Sequence, residues 1–207
     1  MGNNVYMFFC GGTGRNLFFK MKKEPLPPFV KKMRHFDSYI NGAFRVYGHM
    51  EEALQIGKET LGGTRAVFPW RGELAARESR DEIRSLLKGC RTLLLVGSLG
   101  GGFGNGASSV IAKIARRMGI RVVAFFWMPF RFEGTRRAQR AVYYQKLLQN
   151  ICDTCYFYDE SMIPERYTLA TCFDMADAVI VNGILEFLAT YVDCSEDIRK
   201  EQNQAQR

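Results

Sequence analysis

The sequence contains little histidine, and this limits the metal chemistry open to the protein. Only two histidines occur in 207 residues. Cys152 and Cys155 form one C-x-x-C motif, but a structural zinc site needs four ligands and no second pair follows. The six cysteines lie mostly inside apolar runs, where a free thiol packs as a small hydrophobic residue. We therefore expect no metal held by protein side chains alone.

The chain also lacks the signals of secretion and of membrane insertion. No basic region leads into a long apolar core at the N-terminus, so we expect a cytoplasmic protein with reduced thiols. The longest apolar stretch, Thr168–Val192, carries carboxylates that a membrane span does not readily hold. This stretch predicts a buried core helix instead.

Composition predicts one globular domain with a basic surface. The sequence is 47% hydrophobic and 24% charged, and its formal net charge is +8. We expect a folded unit over residues 1–192 that ends in the core helix, followed by a polar tail over 193–207. The positive charge suits acidic partners such as a nucleotide, DNA or an anionic membrane, although no recognised nucleic-acid motif is present.

The chain is organised around Thr92–Trp127. Thr92–Val96 is a short apolar run of the kind that forms a buried parallel strand, and Val122–Trp127 is a second. Between them, apolar residues from Ala107 onward recur at helical spacing, and Gly119 stands where a helix C-cap glycine belongs. The stretch therefore predicts one βαβ unit.

The strand-to-helix turn of this unit, Gly97–Gly106, has six glycines in ten residues. Backbone N–H groups at a helix N-terminus favour an anion, so the turn predicts a phosphate site. A tight packing turn is the alternative. A Walker A loop is excluded because no lysine follows Gly106, whereas Gly102–Ala107 fits the dinucleotide pattern G-x-G-x-x-A. A Rossmann dinucleotide site therefore stays open.

A second glycine-rich turn follows the first predicted strand. Val5–Phe9 is a short apolar run, and Cys10–Asn16 after it reads CGGTGRN. Two such turns on separate strands are able to face one ligand. A Rossmann site with a single turn does not account for both.

The stretch GSLGGGFGNGASSVIAKIARRMGIRVVAFFWMPFRFEGTRR resembles the nucleotide-binding segment of the tubulin/FtsZ family. In that family a glycine-rich loop leads a helix, a strand and then a Pro-Phe-x-Phe-Glu-Gly turn, which Pro129–Gly134 reproduces. The resemblance implies an α/β fold in which helices cover both faces of a mostly parallel sheet. It also implies GTP or GDP as ligand, with Mg²⁺ as an accompanying ion.

The resemblance carries over to individual positions. It implies that the two turns hold the phosphates, that Glu133 binds the ribose, and that Arg137 lies near the base and sugar. Phe173 would stack on guanine, and Asp177 would accept its N1–H and 2-amino groups, unless Asp177 is a surface carboxylate. Asp37 would lie on the ribose or metal side. The implied phosphate residues are Gly11, Gly12, Gly14, Asn16, Gly100, Gly101, Gly102, Phe103, Gly104, Asn105 and Gly106.

Three departures from the family bear on activity. Arg15 stands where the family usually has glycine, and Phe103 where it favours a small hydroxyl residue that contacts phosphate or Mg²⁺. Leu61–Thr64 would face the terminal phosphate, but Arg65–Trp70 after it matches the family poorly. We expect slow hydrolysis.

The chain spans only the first half of a usual family member. Asp193, Glu196 and Asp197 faintly echo the acidic loop that family members present to the nucleotide of a neighbouring subunit. The resemblance therefore implies weak or no GTP hydrolysis by the chain alone. It implies a filament-related protein or switch that self-associates, or an interaction protein that caps filaments of a full-length relative.

The remaining chain predicts further elements with weaker signals. Met21–Arg34 is basic and broken by proline, so it predicts an irregular loop. His35–Ile40, Phe44–Tyr47 and Thr154–Tyr158 are predicted strands; Glu73–Cys90 and Thr135–Ile151 are predicted helices.

Overall fold

A computed structural model of the chain describes residues 3–40, 48–164 and 167–204, with side chains as far as Tyr191. Its six strands form one fully parallel sheet in the order β3-β2-β1-β4-β5-β6. The strands are β1 (Val5–Cys10), β2 (Val30–Asp37), β3 (Ala53–Gln55), β4 (Thr92–Ser98), β5 (Arg121–Trp127) and β6 (Thr154–Tyr158).

Helices follow the strands and cover both faces of the sheet. In the described part of the chain they are α1 (Gly11–Met21), α2 (Lys58–Leu61), α3 (Pro69–Glu78), α4 (Arg80–Leu86), α5 (Gly102–Arg117), α6 (Thr135–Ile151) and α7 (Cys172–Gln204). The predicted fold class is confirmed. None of these helices combines the length and the apolar character that crossing a membrane requires.

The central strands are buried on both faces, as their apolar runs predicted. Phe8 and Leu95 point to a core that α3, α4, α5 and α6 complete. Their neighbours Phe9 and Leu94 point to the opposite core, against α1 and α7. Because successive side chains of a strand alternate between faces, each apolar run supplies both cores.

The strand order reverses between β1 and β4. From β1 the chain builds outward to β2 and β3, and from β4 it builds the other way to β5 and β6. At such a switch point the two helices that follow the central strands diverge, and a crevice opens beyond the carboxyl ends of the strands. Both glycine-rich turns lie at this crevice.

Several predicted boundaries differ from the observed ones. Residues 30–34 belong to β2 rather than to a loop, because β2 pairs in parallel with β1 along its length. The predicted helix Glu73–Cys90 is two helices that meet at Ser79, where the backbone leaves the helical region and the Oγ atom accepts the Gly57 N–H at 3.2 Å.

The other differences lie at helix ends. Helix α5 begins at Gly102, so the last glycines of the turn are already helical. Helix α7 begins at Cys172 and its backbone stays helical past Val192 to Gln204, while the division of the chain into a domain and a tail stays a prediction. The predicted strand Phe44–Tyr47 lies outside the described residues.

Candidate functional site

A cleft of about 310 Å³ opens at the carboxyl ends of the central strands. The turns after β1 and β4 form its floor, the end of β2 forms one side, and the loop before α3 forms the rim. The lining residues are Cys10, Gly11, Gly12, Thr13, Arg15, His35, Asp37, Tyr39, Arg65, Ala66, Ser98, Gly101, Gly102, Phe103, Gly104 and Arg137.

The two turns approach each other closely because they carry almost no side chain. Gly11 has φ +73°, and a Cβ there would lie 3.6 Å from the Gly104 nitrogen. A Cβ on Gly104 would lie 2.6 Å from the Ser98 carbonyl oxygen, and one on Gly102 only 1.9 Å from that of Ala66. The cleft is therefore walled by backbone at the N-termini of α1 and α5, which favours an anion.

Asn105 organises the second turn from within. Its side chain is fully buried, and its Oδ1 atom accepts the Gly100 N–H at 2.9 Å. Its enclosed Nδ2 atom has no hydrogen-bond acceptor among the described residues. Asn105 thus shapes the loop and does not line the cleft.

Two titratable groups at the end of β2 line the cleft, and burial shifts both. Burial raises the pKa of Asp37 to about 6, although the Ser38 N–H at 2.7 Å stabilises its carboxylate. Burial lowers the pKa of His35 to about 4, against the hydrogen bond that its Nε2 donates to the Gly11 carbonyl at 3.0 Å. His35 is therefore neutral near pH 7, whereas Asp37 is mostly ionised and titrates just below it.

A second, smaller cleft of about 40 Å³ adjoins the first. The two share Thr13, Ser98 and Arg137, and a hydrogen bond of 2.8 Å joins Thr13 Oγ1 to Ser98 Oγ between them. Glu133, Arg137, Phe173 and Asp177, which come from two separate parts of the chain, all line the smaller cleft.

The charged groups of the smaller cleft are already paired. Asp177 is 4% exposed, and its Oδ2 atom lies 3.0 Å from the Lys20 ammonium. Burial raises the pKa of Asp177, while Lys20 acts in the opposite direction. Glu133 lies 2.9 Å from the Arg137 guanidinium and also accepts the Phe130 N–H at 3.0 Å.

Phe173 is the exposed aromatic wall of the smaller cleft. Half of its surface is exposed, and its ring stands edge-on to Phe130 at 5.4 Å between centroids. The enclosed volume is much smaller than a purine, so a base bound here would extend along the exposed face of Phe173.

The predicted site residues divide into two groups. Most lie at the clefts, but Gly14 packs against Phe9, Gly106 against Pro69, and the exposed Asn16 binds the Arg15 side chain. The side chains of Asp193, Glu196 and Asp197 lie outside the described residues. Within the described part, the predicted residues that line neither cleft are Gly14, Asn16, Gly100, Asn105 and Gly106.

Sequence reasoning missed several lining residues. Ser98 and Thr13 carry the hydroxyls between the two clefts, and Arg65 and Ala66 form the rim. Ser98 is the last residue of β4, at the end of a buried apolar run, which was a usable signal. Arg65 gave none, because its place at the rim depends on the path of a loop far along the chain from both turns.

Comparisons with known proteins agree with this geometry. The model of the Tubulin/FtsZ family, GTPase domain, matches residues 29–167. Cell division protein FtsZ 1 of Pyrococcus furiosus is 33% identical over 184 residues, which are 87% of this chain and 48% of that protein. FtsZ of Haemophilus influenzae is 35% identical over 66% of this chain and 34% of its own length.

Solved structures show the same fold. The FtsZ dimer of M. jannaschii aligns with a TM-score of 0.80 at 26% identity, covering 91% of this chain and 55% of that one. CetZ1 from Haloferax volcanii, solved as a GDP-bound monomer, aligns at 0.73 and 20% identity over 86% of this chain and 58% of that one. The chain spans about half the length of the curated relatives it matches, and it belongs to the tubulin/FtsZ family through their GTPase domain.

Proposed function

We propose that the chain binds GTP or GDP in the double cleft, with the phosphates in the larger part and guanine in the smaller. The meeting of two glycine turns on neighbouring strands carries the proposal. A Cβ on Gly11 would already touch the Gly104 backbone, and residues of both turns line the same space. A diphosphate or triphosphate fills such a space with one charged chain.

Guanine preference rests on Asp177. A carboxylate accepts both the N1–H and the 2-amino group of guanine, whereas the unprotonated N1 of adenine repels it. Lys20 neutralises part of this buried charge and opposes the rise that burial causes in the pKa of Asp177. Phe173 offers its exposed face to the base.

Titration calorimetry with GTP, GDP, ATP and NAD tests the proposal. We expect guanine-selective binding, which Asp177→Ala weakens by about 10- to 100-fold through loss of a charged hydrogen-bond acceptor. Asp174→Ala is the matched control, because Asp174 also pairs with Lys20, at 2.9 Å, but its side chain is 81% exposed and lines neither cleft. Binding of NAD in place of GTP would support a dinucleotide site, and no binding at all would contradict the proposal.

We propose that the chain alone hydrolyses GTP slowly or not at all. Asp37 is the only carboxylate among the described lining residues of the larger cleft, and Phe103 brings no hydroxyl to phosphate or Mg²⁺. The site fits a nucleotide with bound Mg²⁺, for which Asp37 is the available protein carboxylate. Phosphate release measured against protein concentration checks this: fast release that is independent of concentration would contradict it.

A filament-related role is the second candidate. Next to the rim residue Ala66, three large apolar side chains are exposed: Val67 by 62%, Phe68 by 49% and Trp70 by 58%. One solved relative is an FtsZ dimer. We propose that this rim contacts a second copy or a full-length relative, so that nucleotide and partner meet at one surface.

Sedimentation with and without a full-length FtsZ tests this role. Trp70→Glu should reduce association at least several-fold, since it places a charge in the proposed contact. The variant should keep the affinity of the wild type for GTP. Unchanged association would contradict a role for this rim.

A further inference from the structure

Two guanidinium groups in the larger cleft are additions to the family pattern. Arg15 replaces a glycine of the first turn, and Arg65 lies in the rim loop whose sequence matches the family poorly. Both line the larger cleft and neither lines the smaller one. They therefore lie at the end of the site that is remote from Asp177 and Phe173.

The contacts of these two arginines leave their charge available. Nε and Nη2 of Arg15 bond the neutral Asn16 Oδ1 at 3.3 and 3.1 Å, and the Arg65 guanidinium lies 5.7 Å from the centre of the Tyr39 ring. Neither forms an ion pair with any residue that the structure describes. Arg137 differs, because Glu133 already balances its charge.

Both charges reach the interior of the cleft. Burial is the main cause of the low pKa of His35, and the charge of Arg15 lowers that pKa further. Burial likewise dominates the raised pKa of Asp37, and the charge of Arg65 partly opposes the shift. The two cations thus act on the wall of the cleft from its α1 side and from its rim.

A nucleotide whose base lies against Phe173 would run its phosphates past the hydrogen-bonded hydroxyls of Thr13 and Ser98, which line both clefts, into the larger cleft. The last phosphate then lies in the larger cleft, whose lining includes both arginines. Guanidinium groups bind phosphate through paired, charge-assisted hydrogen bonds, and a terminal phosphate offers the most free oxygens.

We infer that Arg15 and Arg65 form a clamp on the terminal phosphate that makes the site selective for the triphosphate over the diphosphate. The inference rests on the proposed function and assigns its triphosphate specificity to two side chains of this chain. Because the clamp supplies positive charge itself, triphosphate binding should also depend less on Mg²⁺.

Calorimetric titration with GTPγS and with GDP tests the clamp, each in Mg²⁺ and in EDTA. The Arg15→Gln/Arg65→Gln double variant should lose about 10- to 100-fold in GTPγS affinity and less than about threefold in GDP affinity. Its GTPγS affinity should fall further in EDTA than that of the wild type. Arg→Lys at both positions keeps the charge without the paired geometry and should restore the affinity only in part.

Arg136→Gln is the matched control, since it removes the same charge from an exposed residue beside the cleft that does not line it. The control should leave the ratio of GTPγS to GDP affinity unchanged. Equal losses for both nucleotides in the double variant, or no loss, would overturn the clamp while leaving guanine binding intact. Failure of the wild type to bind either nucleotide would instead overturn the proposed function.

Discussion

The two clefts of the site are built on different principles. The larger is walled by backbone that glycine allows to approach closely, and two of its arginines have no described ionic partner. The smaller is lined by side chains, and each of its carboxylates already holds a cation: Asp177 holds Lys20 and Glu133 holds Arg137.

The difference bears on what each part needs in order to bind. A backbone wall needs no side-chain rearrangement, so the proposed phosphate side is organised before a ligand arrives. On the proposed base side, a ligand would have to share or displace the existing ion pairs. We expect the larger cleft to supply affinity for any nucleotide and the smaller cleft to select the base. The proposed arginine clamp is the exception, because it would select the triphosphate from within the larger cleft.

The largest expected effect comes from breaking the backbone wall. Gly102→Ala would place a Cβ 1.9 Å from the Ala66 carbonyl oxygen, so the rim loop must move away from α5. We expect a loss of about 2–3 kcal/mol in the free energy of unfolding, together with loss of nucleotide binding. Urea unfolding and calorimetry measure the two effects.

Gly12→Ala is the control for that change. No heavy atom lies within 4 Å of a Cβ built on Gly12, so this variant should keep the stability of the wild type. If the Gly102→Ala protein were as stable as the wild type, the rim loop would move away from α5 at little cost, contrary to this prediction.

The next effect concerns acid stability on the phosphate side. The pKa of His35 falls from 6.5 to about 4 on folding, so its contribution to stability is lost as the pH falls through this range. The pKa of Asp37 rises from 3.8 to about 6 on folding. The folded state therefore gains stability from Asp37 as the pH falls through nearly the same range. Each contribution is roughly 3 kcal/mol, and the two oppose each other.

Asp37→Asn should expose the acid sensitivity that His35 causes. Between pH 7 and pH 4.5, the variant should lose about 2 kcal/mol more stability than the wild type. Urea unfolding at both pH values measures the difference. Parallel losses in the two proteins would mean that Asp37 and His35 are not coupled to folding in this way.

The smallest expected effect concerns the ion pair between Lys20 and Asp177. Lys20→Met removes the cation beside Asp177, so the pKa of this buried carboxyl should rise further. A protonated carboxyl accepts less well from guanine, and we expect GTP affinity to fall about three- to tenfold, more at pH 6 than at pH 8. Calorimetry at both pH values is the measurement. A rise in affinity would show that Lys20 competes with the base.

Much of the fold could be predicted from the amino-acid sequence. The apolar runs became β1, β4 and β5 within two residues at either end, and Thr135–Ile151 is a helix with the predicted bounds. These segments carry their own signal, since burial on both faces demands a continuous apolar run and glycine marks its end. Only the end of β2, His35–Asp37, fell within a predicted strand; residues 30–34 were missed because their mixed sequence forms a strand only through pairing with β1.

The candidate site was predictable in kind but not in detail. The resemblance placed Phe173 and Asp177 beside Glu133, and the structure brings these residues to one cleft. Nothing local could show that Asn105 turns inward to hold Gly100, or that Gly106 is glycine because α3 crosses it. Such roles depend on neighbours that are distant in sequence.

The parallel architecture and the two glycine turns could be predicted from the amino-acid sequence, because both follow from local conformational preference and the periodicity of burial. Which charged groups come together at the site depends on the tertiary structure. Lys20 meets Asp177 across 157 positions, and Arg65 lines the same cleft as the turn that follows β1. Electrostatic interactions depend on distance in space, and only the folded chain sets that distance.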